Sequence, residues 1–194
     1  MGRHPVDRVV SYYYQRCYSE TLCPFYKTKF NDLTSDELRH LVVHFRQALL
    51  LEDNETIGVV DEGMEDAACR TMVGKRETTG RIMGDVTLPT PLTALDTEVA
   101  LANCKTCVVG LLEDWSNTVR VMKFWFPWMD LTEYNMALNR FKRNDEDQAS
   151  NIREDLRNVI LDLNQCDMKL YIRMTEIFEK ELSIINDVSY QLSS

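Results

Sequence analysis

The run Cys107-Val108-Val109-Gly110-Leu111-Leu112 is short, continuous and apolar, and helical patterns flank it on both sides. Thr93 to Asn103 repeats Leu95, Val99 and Ala102 on one side, with Thr93 or Asp96 as its cap. Glu113-Asp114 closes the run. A second helix then starts at Ser116, carries Val119, Val121, Met122, Phe124 and Trp125, and is stopped by Pro127. A continuous apolar run of this length is expected of a strand buried on both faces, and strand, turn and amphipathic helix together make a βα unit. The expected fold class is therefore α/β, helix-rich around a short parallel sheet.

The rest of the chain reads mainly as helix. Pro5 suits a first helical turn, and Val6, Val9, Val10 and Tyr13 follow at helical spacing. Cys17 to Lys29 reads as a loop. Asn31 to Asp53 is strongly amphipathic, with a Thr34/Glu37 capping box and Leu38, Leu41, Val42, Phe45, Ala48 and Leu49 on one face. Residues 54 to 92 read as loop with one short helix, Glu62 to Val73. Leu131 to Ser150 is a polar connection. Ile152 to Leu192 reads as helical throughout, with Cys166, Leu170, Met174, Ile177, Phe178, Glu181 and Ile185 near one face.

A chain of 194 residues suffices for one domain, so 1–194 is read as a single unit. Its net charge of −9 argues against a general affinity for nucleic acid, though a local basic cleft remains compatible with it. No apolar run approaches a membrane span. Six cysteines are too dilute for a disulfide-dense scaffold, although Cys17 and Cys23 bracket a short turn and could pair in an oxidising compartment. Cys104 and Cys107 form a C-x-x-C that fits a redox pair, half a zinc site or two buried structural thiols. The last is favoured, because no second ligand pair accompanies it and it follows a helix rather than starting one. His40 and His44 stand at i, i+4 but lack a third ligand, so a solvated polar face is expected and no metal.

Chemistry concentrates at the start of the chain. Arg3 lies just before the first helix, and Ser11 lies two turns inside it. A helix N-terminus favours an anion, an arginine fork suits a phosphate, and a serine hydroxyl can donate one more bond. An ordinary helix start with a solvated arginine is the alternative. The R-x-P-x-x-R-x-x-S segment from Arg3 to Ser11, continued by Tyr12-Tyr13-Tyr14, resembles the 3′-phosphate motif of sulfotransferases that use 3′-phosphoadenosine 5′-phosphosulfate (PAPS). The likeness is greatest to the heparan and uronosyl 2-O-sulfotransferases. Val108 to Asp114 with Phe126-Pro127-Trp128 resembles the "VGLxE" strand and helix of that family, and Asp167 to Phe178 resembles its closing "D-x-x-LY…F" helix.

The resemblance implies a P-loop-NTPase-like sulfotransferase fold and PAPS as co-substrate, with no metal. Arg3 and Ser11 would hold the 3′-phosphate. Lys142 and Arg143, in Asn139 to Asn144, would join them, with Phe141 against adenine. Asp66 to Gly74 is similar to the segment near the acceptor cleft, which implies an acceptor contact for Arg70, with Lys75, Arg76 and Arg81 close by. The acceptor would be a carbohydrate, a glycosaminoglycan by the nearest likeness, and the compartment the Golgi lumen. The family's phosphosulfate loop, first strand and general base precede the motif that begins here at Arg3. The chain is accordingly expected to be the C-terminal portion of such an enzyme, with no catalytic base of its own. A non-catalytic helical module that binds a partner is the competing reading.

Overall fold

The computed structural model describes residues 2–18, 23–42, 64–74, 92–130 and 151–191. Their regular structure is helical. Helix α1 (Pro5–Tyr13) runs into a π-type turn over Tyr14–Tyr18. A 3-10 turn, Phe30–Asp32, leads to α2, described over 35–42. Then come α3 (Ala67–Met72), α4 (Ala94–Cys104), α5 (Trp115–Trp125), α6 (Glu154–Leu163) and the long α7 (Gln165–Gln191). The stretch expected to be one helix from Ile152 is thus two, broken at Asn164.

Local chemistry explains most of these boundaries. Pro5 opens α1, and the His4 side chain accepts from the Val6 N–H at 3.2 Å. The Thr34 N–H donates to Glu37 at 2.7 Å, and the Glu37 N–H donates back to the Thr34 hydroxyl, the expected capping box. Thr93 and Asp96 make a second such box on α4. Asp114 caps α5 through the Asn117 N–H. Helix α3 is shorter than the reading from Glu62 anticipated, beginning only at Ala67.

Two apolar clusters lie along the fold. In the first, Val6, Val9, Val10 and Tyr13 of α1 pack with Phe30, Leu33, Leu38, Leu41 and Val42, and with Leu156, Val159 and Ile160 of α6. The second gathers Cys69, Ala100, Cys104, Val109, Leu111 and Val121 against Cys166, Leu170, Phe178 and Ile185 of α7. Helix α4 does not bury the face anticipated for it. Leu95 and Val99 are exposed, whereas Ala100 and Cys104 face the core. Apolar residues surround α4, so periodicity alone does not choose its buried side. Small side chains let it lie close to α3 and α7.

The α/β expectation is overturned. No sheet forms among the described residues, and the run 107–112 is not a strand. It makes a single parallel bridge, Gly2 with Leu111. The Gly2 N–H donates to the Gly110 carbonyl at 2.7 Å, and the Leu112 N–H donates to the Gly2 carbonyl at 3.0 Å. Side chains complete the run's hydrogen bonding in place of further strands. The Thr118 hydroxyl accepts from the Leu111 N–H at 2.8 Å and donates to the Leu111 carbonyl at 2.7 Å. Glu181 accepts from the Val109 N–H at 3.4 Å. The run is apolar because helices enclose it. Burial predicts composition, and composition alone does not distinguish a sheet from a helix-packed extended segment.

Candidate functional site

The bridge at Gly2 determines where the chain enters α1. A Cβ at residue 2 would stand 3.0 Å from Met174 Sδ and 3.1 Å from Leu111 Cδ2, so the approach is close and any larger residue needs those side chains to shift. Arg3 follows at once. The His4 N–H then donates to the Glu113 carboxylate, and the His4 ring meets the edge of Tyr171 with centroids 5.1 Å apart. Backbone bridge, carboxylate and aromatic edge together hold the segment that carries Arg3.

The charges here are unevenly partnered. Arg8 pairs with Asp167 and donates to Asn164 Oδ1 at 2.6 Å. Arg153 pairs with Asp155 and donates to the carbonyls of Asn31 and Leu33. By contrast, Arg3 and Arg157, partly buried as residues, and the Ser11 hydroxyl make no side-chain hydrogen bond or ion pair among the described residues. Arg157 lies on α6, which packs against α1, and its charge reaches His4. Burial is the main cause that lowers the His4 pKa below its usual value. Arg157 lowers it further, while Asp7 and Glu113 oppose the shift. Burial likewise raises the Tyr171 pKa, with the Glu113 charge adding to it.

The helix terminus itself is a poorer anion site than the sequence suggested. Pro5 has no N–H, His4 occupies the Val6 N–H, and Asp7 sits in the first turn. What remains for an anion is two free guanidiniums and a free hydroxyl. Ser11 stands about 9 Å along the helix from Pro5, given a rise of about 1.5 Å per residue.

Arg70 is not in this group. It lies on α3, 8 % exposed and engaged in its own interactions. Lys142, Arg143 and Phe141 lie outside the described residues, as do Lys75, Arg76, Arg81 and His44. His40 is exposed, and no group of three or more His, Cys, Asp or Glu side chains among the described residues could hold a metal. Arg157 and Glu113 are the contributors that sequence reasoning missed as site residues. Nothing in its helical period marks Arg157, and Glu113 was read only as the end of a strand.

A second polar centre joins the two cores. Asp167, 2 % exposed, accepts from the Cys69 N–H at 2.7 Å and the Ala68 N–H at 3.1 Å while pairing with Arg8. Asp66 reciprocates by accepting from the Asp167 N–H at 3.0 Å. Asn164 accepts from the Asp66 N–H and donates to the carbonyls of Met64 and Ile160, each at 2.9 Å. The Cys69–Cys166 disulfide ties the same two helix starts together. Every one of these groups faces a protein partner, so the centre holds structure and presents no open ligand position.

Comparison with protein-family models, with curated proteins and with solved structures finds no match for the chain.

Proposed function

We propose that this chain is related to the PAPS-dependent carbohydrate sulfotransferases and that Arg3, Ser11 and Arg157 receive the 3′-phosphate of the nucleotide. The observation that carries the reading is the pair of arginines without counter-ions among the described residues, beside a tightly held α1 entry. A solvent-reached guanidinium with no counter-ion is available to an anion, and a phosphate matches its fork. The motif likeness from Arg3 to Ser11 names the anion. Lys142 and Arg143 enter the proposal only on the resemblance of the 131–150 connection to the loop of that family that closes over the nucleotide.

In the reaction, an acceptor sugar hydroxyl attacks the sulfur of PAPS in line. The sulfur–phosphate oxygen bond breaks, the hydroxyl proton passes to a base, and 3′-phosphoadenosine 5′-phosphate leaves. Arg3, Ser11 and Arg157 would bind donor and product equally and so contribute affinity rather than rate.

The test is calorimetric titration with 3′-phosphoadenosine 5′-phosphate. Saturable binding is expected, weakened about 10- to 100-fold by Arg3→Ala or Arg157→Ala, the range for losing a charged hydrogen bond. Adenosine 5′-phosphate, which lacks the 3′-phosphate, should bind equally weakly to wild type and variants. Failure of the wild type to distinguish the two nucleotides would sink the reading.

One observation favours the helical-module alternative. Trp128 is 77 % exposed, and Trp125 and Met129 are exposed beside it at the end of α5. Aromatic residues so placed are over-represented at protein interfaces. A chain indifferent to nucleotide whose sedimentation changes in Trp125→Ala/Trp128→Ala would favour the module.

A further inference from the structure

Four of the six cysteines are paired, Cys17 with Cys23 and Cys69 with Cys166, and the remaining two stand three residues apart. Cys104 is the last residue of α4 and is fully buried in the second core, whereas Cys107 is exposed. The chain between them is wound tightly. The N–H groups of Lys105, Thr106 and Cys107 donate to the carbonyls of Ala102, Asn103 and Cys104, each at 3.2 Å.

A turn closed in this way keeps its first and fourth Cα atoms within about 7 Å. Disulfides span Cα separations up to about 6.8 Å, and the Cys69–Cys166 bridge spans 6.1 Å. The Cys107 Sγ, though exposed, donates to the Asn103 carbonyl at 3.4 Å and so lies back over the end of α4. The two thiols are also within electrostatic reach of each other. Cys104, raised in pKa first by burial, is raised further by the charge of Cys107.

We propose that Cys104 and Cys107 are a dithiol modification site, which a small-molecule disulfide such as oxidised glutathione converts into a third intrachain disulfide. The Cys107 thiolate attacks one sulfur of the reagent, forms a mixed disulfide and expels one thiolate. The Cys104 thiolate then attacks Cys107 Sγ, closes the intrachain bond and expels the second. The protein pair loses two electrons, the reagent gains them, and the two cysteine protons end on the released thiols.

The division of labour follows from exposure. A dissolved reagent reaches only Cys107, and only the neighbouring Cys104 can resolve the adduct. Resolution of the adduct should be slow at neutral pH and speed up toward pH 9, because burial raises the pKa of the Cys104 thiol that must attack as a thiolate. That separates this site from a fast oxidoreductase dithiol, which sits at a helix N-terminus. The two existing bridges require an oxidising compartment to persist, and such a compartment supplies the reagent. Closure would staple the end of α4 to the segment 107–112 that pairs with Gly2.

The experiment uses the full chain, purified without reductant, incubated with oxidised glutathione, quenched in acid and analysed by intact mass and tryptic mapping. The wild type should end two hydrogens lighter than the two-disulfide form. Cleavage after Lys105 should leave Cys104 and Cys107 peptides joined by the bridge, and the same joined peptides in untreated protein would equally support the site. Cys104→Ser should retain one glutathione on Cys107. Cys107→Ser should take up none while folded, because Cys104 is buried. Two alkylatable thiols persisting in the wild type, or a stable glutathione adduct on its Cys107, would overturn the proposal.

Discussion

Asp167 shows how much one side chain can hold. Its carboxylate serves two N–H groups of α3 and the Arg8 guanidinium at once. Truncation removes the counter-ion of the partly buried Arg8 and leaves two helix N–H groups without their acceptor, so Asp167→Ala should cost about 3–5 kcal/mol of stability. Urea unfolding measures it, and Asp167→Asn should recover part of the loss by keeping an acceptor. Gly110 is constrained differently. A Cβ there would come within 2.5 Å of Thr118 Cγ2, the side chain that bonds Leu111 in both directions. Gly110→Ala should therefore destabilise by about 1–3 kcal/mol, as overpacking does. His4 adds a pH dependence. Its cap needs the neutral ring, and its folded pKa lies below the ordinary 6.5. The unfolded chain thus takes up the proton first. This contribution to stability is complete above pH 6.5 and is lost as pH falls from there through the folded value. Unfolding free energies between pH 5 and 8 should show that slope in the wild type and a shallower one in His4→Asn.

At the scale of elements, α3 is the clearest case of structure imposed from outside. Six residues are too few for a helix to persist alone in water. The Asp167 carboxylate caps its start, and Cys69 tethers it to Cys166 across 97 residues of sequence. Removing that bridge should cost about 2–4 kcal/mol, and more than removing Cys17–Cys23, whose loop is far shorter, because loop-closure entropy grows with length. Thermal unfolding of Cys69→Ser/Cys166→Ser beside Cys17→Ser/Cys23→Ser checks the ordering. Helix α5 illustrates the opposite dependence. Pro127 marks its end in the sequence, and the helix expected from Ser116 is observed as Trp115–Trp125, with Asp114 as its cap.

For the whole molecule, the two cores meet at the polar centre around Asn164, which breaks what the sequence suggested was one continuous helix. No helix among the described residues is long and apolar enough to cross a membrane. The net charge of −9 means that any phosphate captured at Arg3 and Arg157 is held by local cations against an acidic background. Nucleotide affinity should consequently fall with added salt by a smaller factor than for a basic cleft, which titration at two ionic strengths would register. How much of this was legible varied by level. The Arg3–Ser11 spacing pointed to α1 as the place to look, and both side chains are unengaged there. That Arg8 is engaged and Arg157 is not could not be read from the chain, since each lies one among many charges on a helix flank.

What the sequence determined by itself is local. The start of α1 at Pro5, the Thr34/Glu37 and Thr93/Asp96 boxes and the apolar face of α7 all depend on residues within a turn or two of one another. Propensity, capping and period act over just that distance. The tertiary structure alone decided whether 107–112 would be a strand, which face of α4 is buried, and that Cys69 pairs with Cys166. Each of those outcomes rests on what a distant segment places opposite. An extended apolar run beside another strand becomes a sheet, and the same run enclosed by α5 and α7 takes its hydrogen bonds from Thr118 and Glu181 instead.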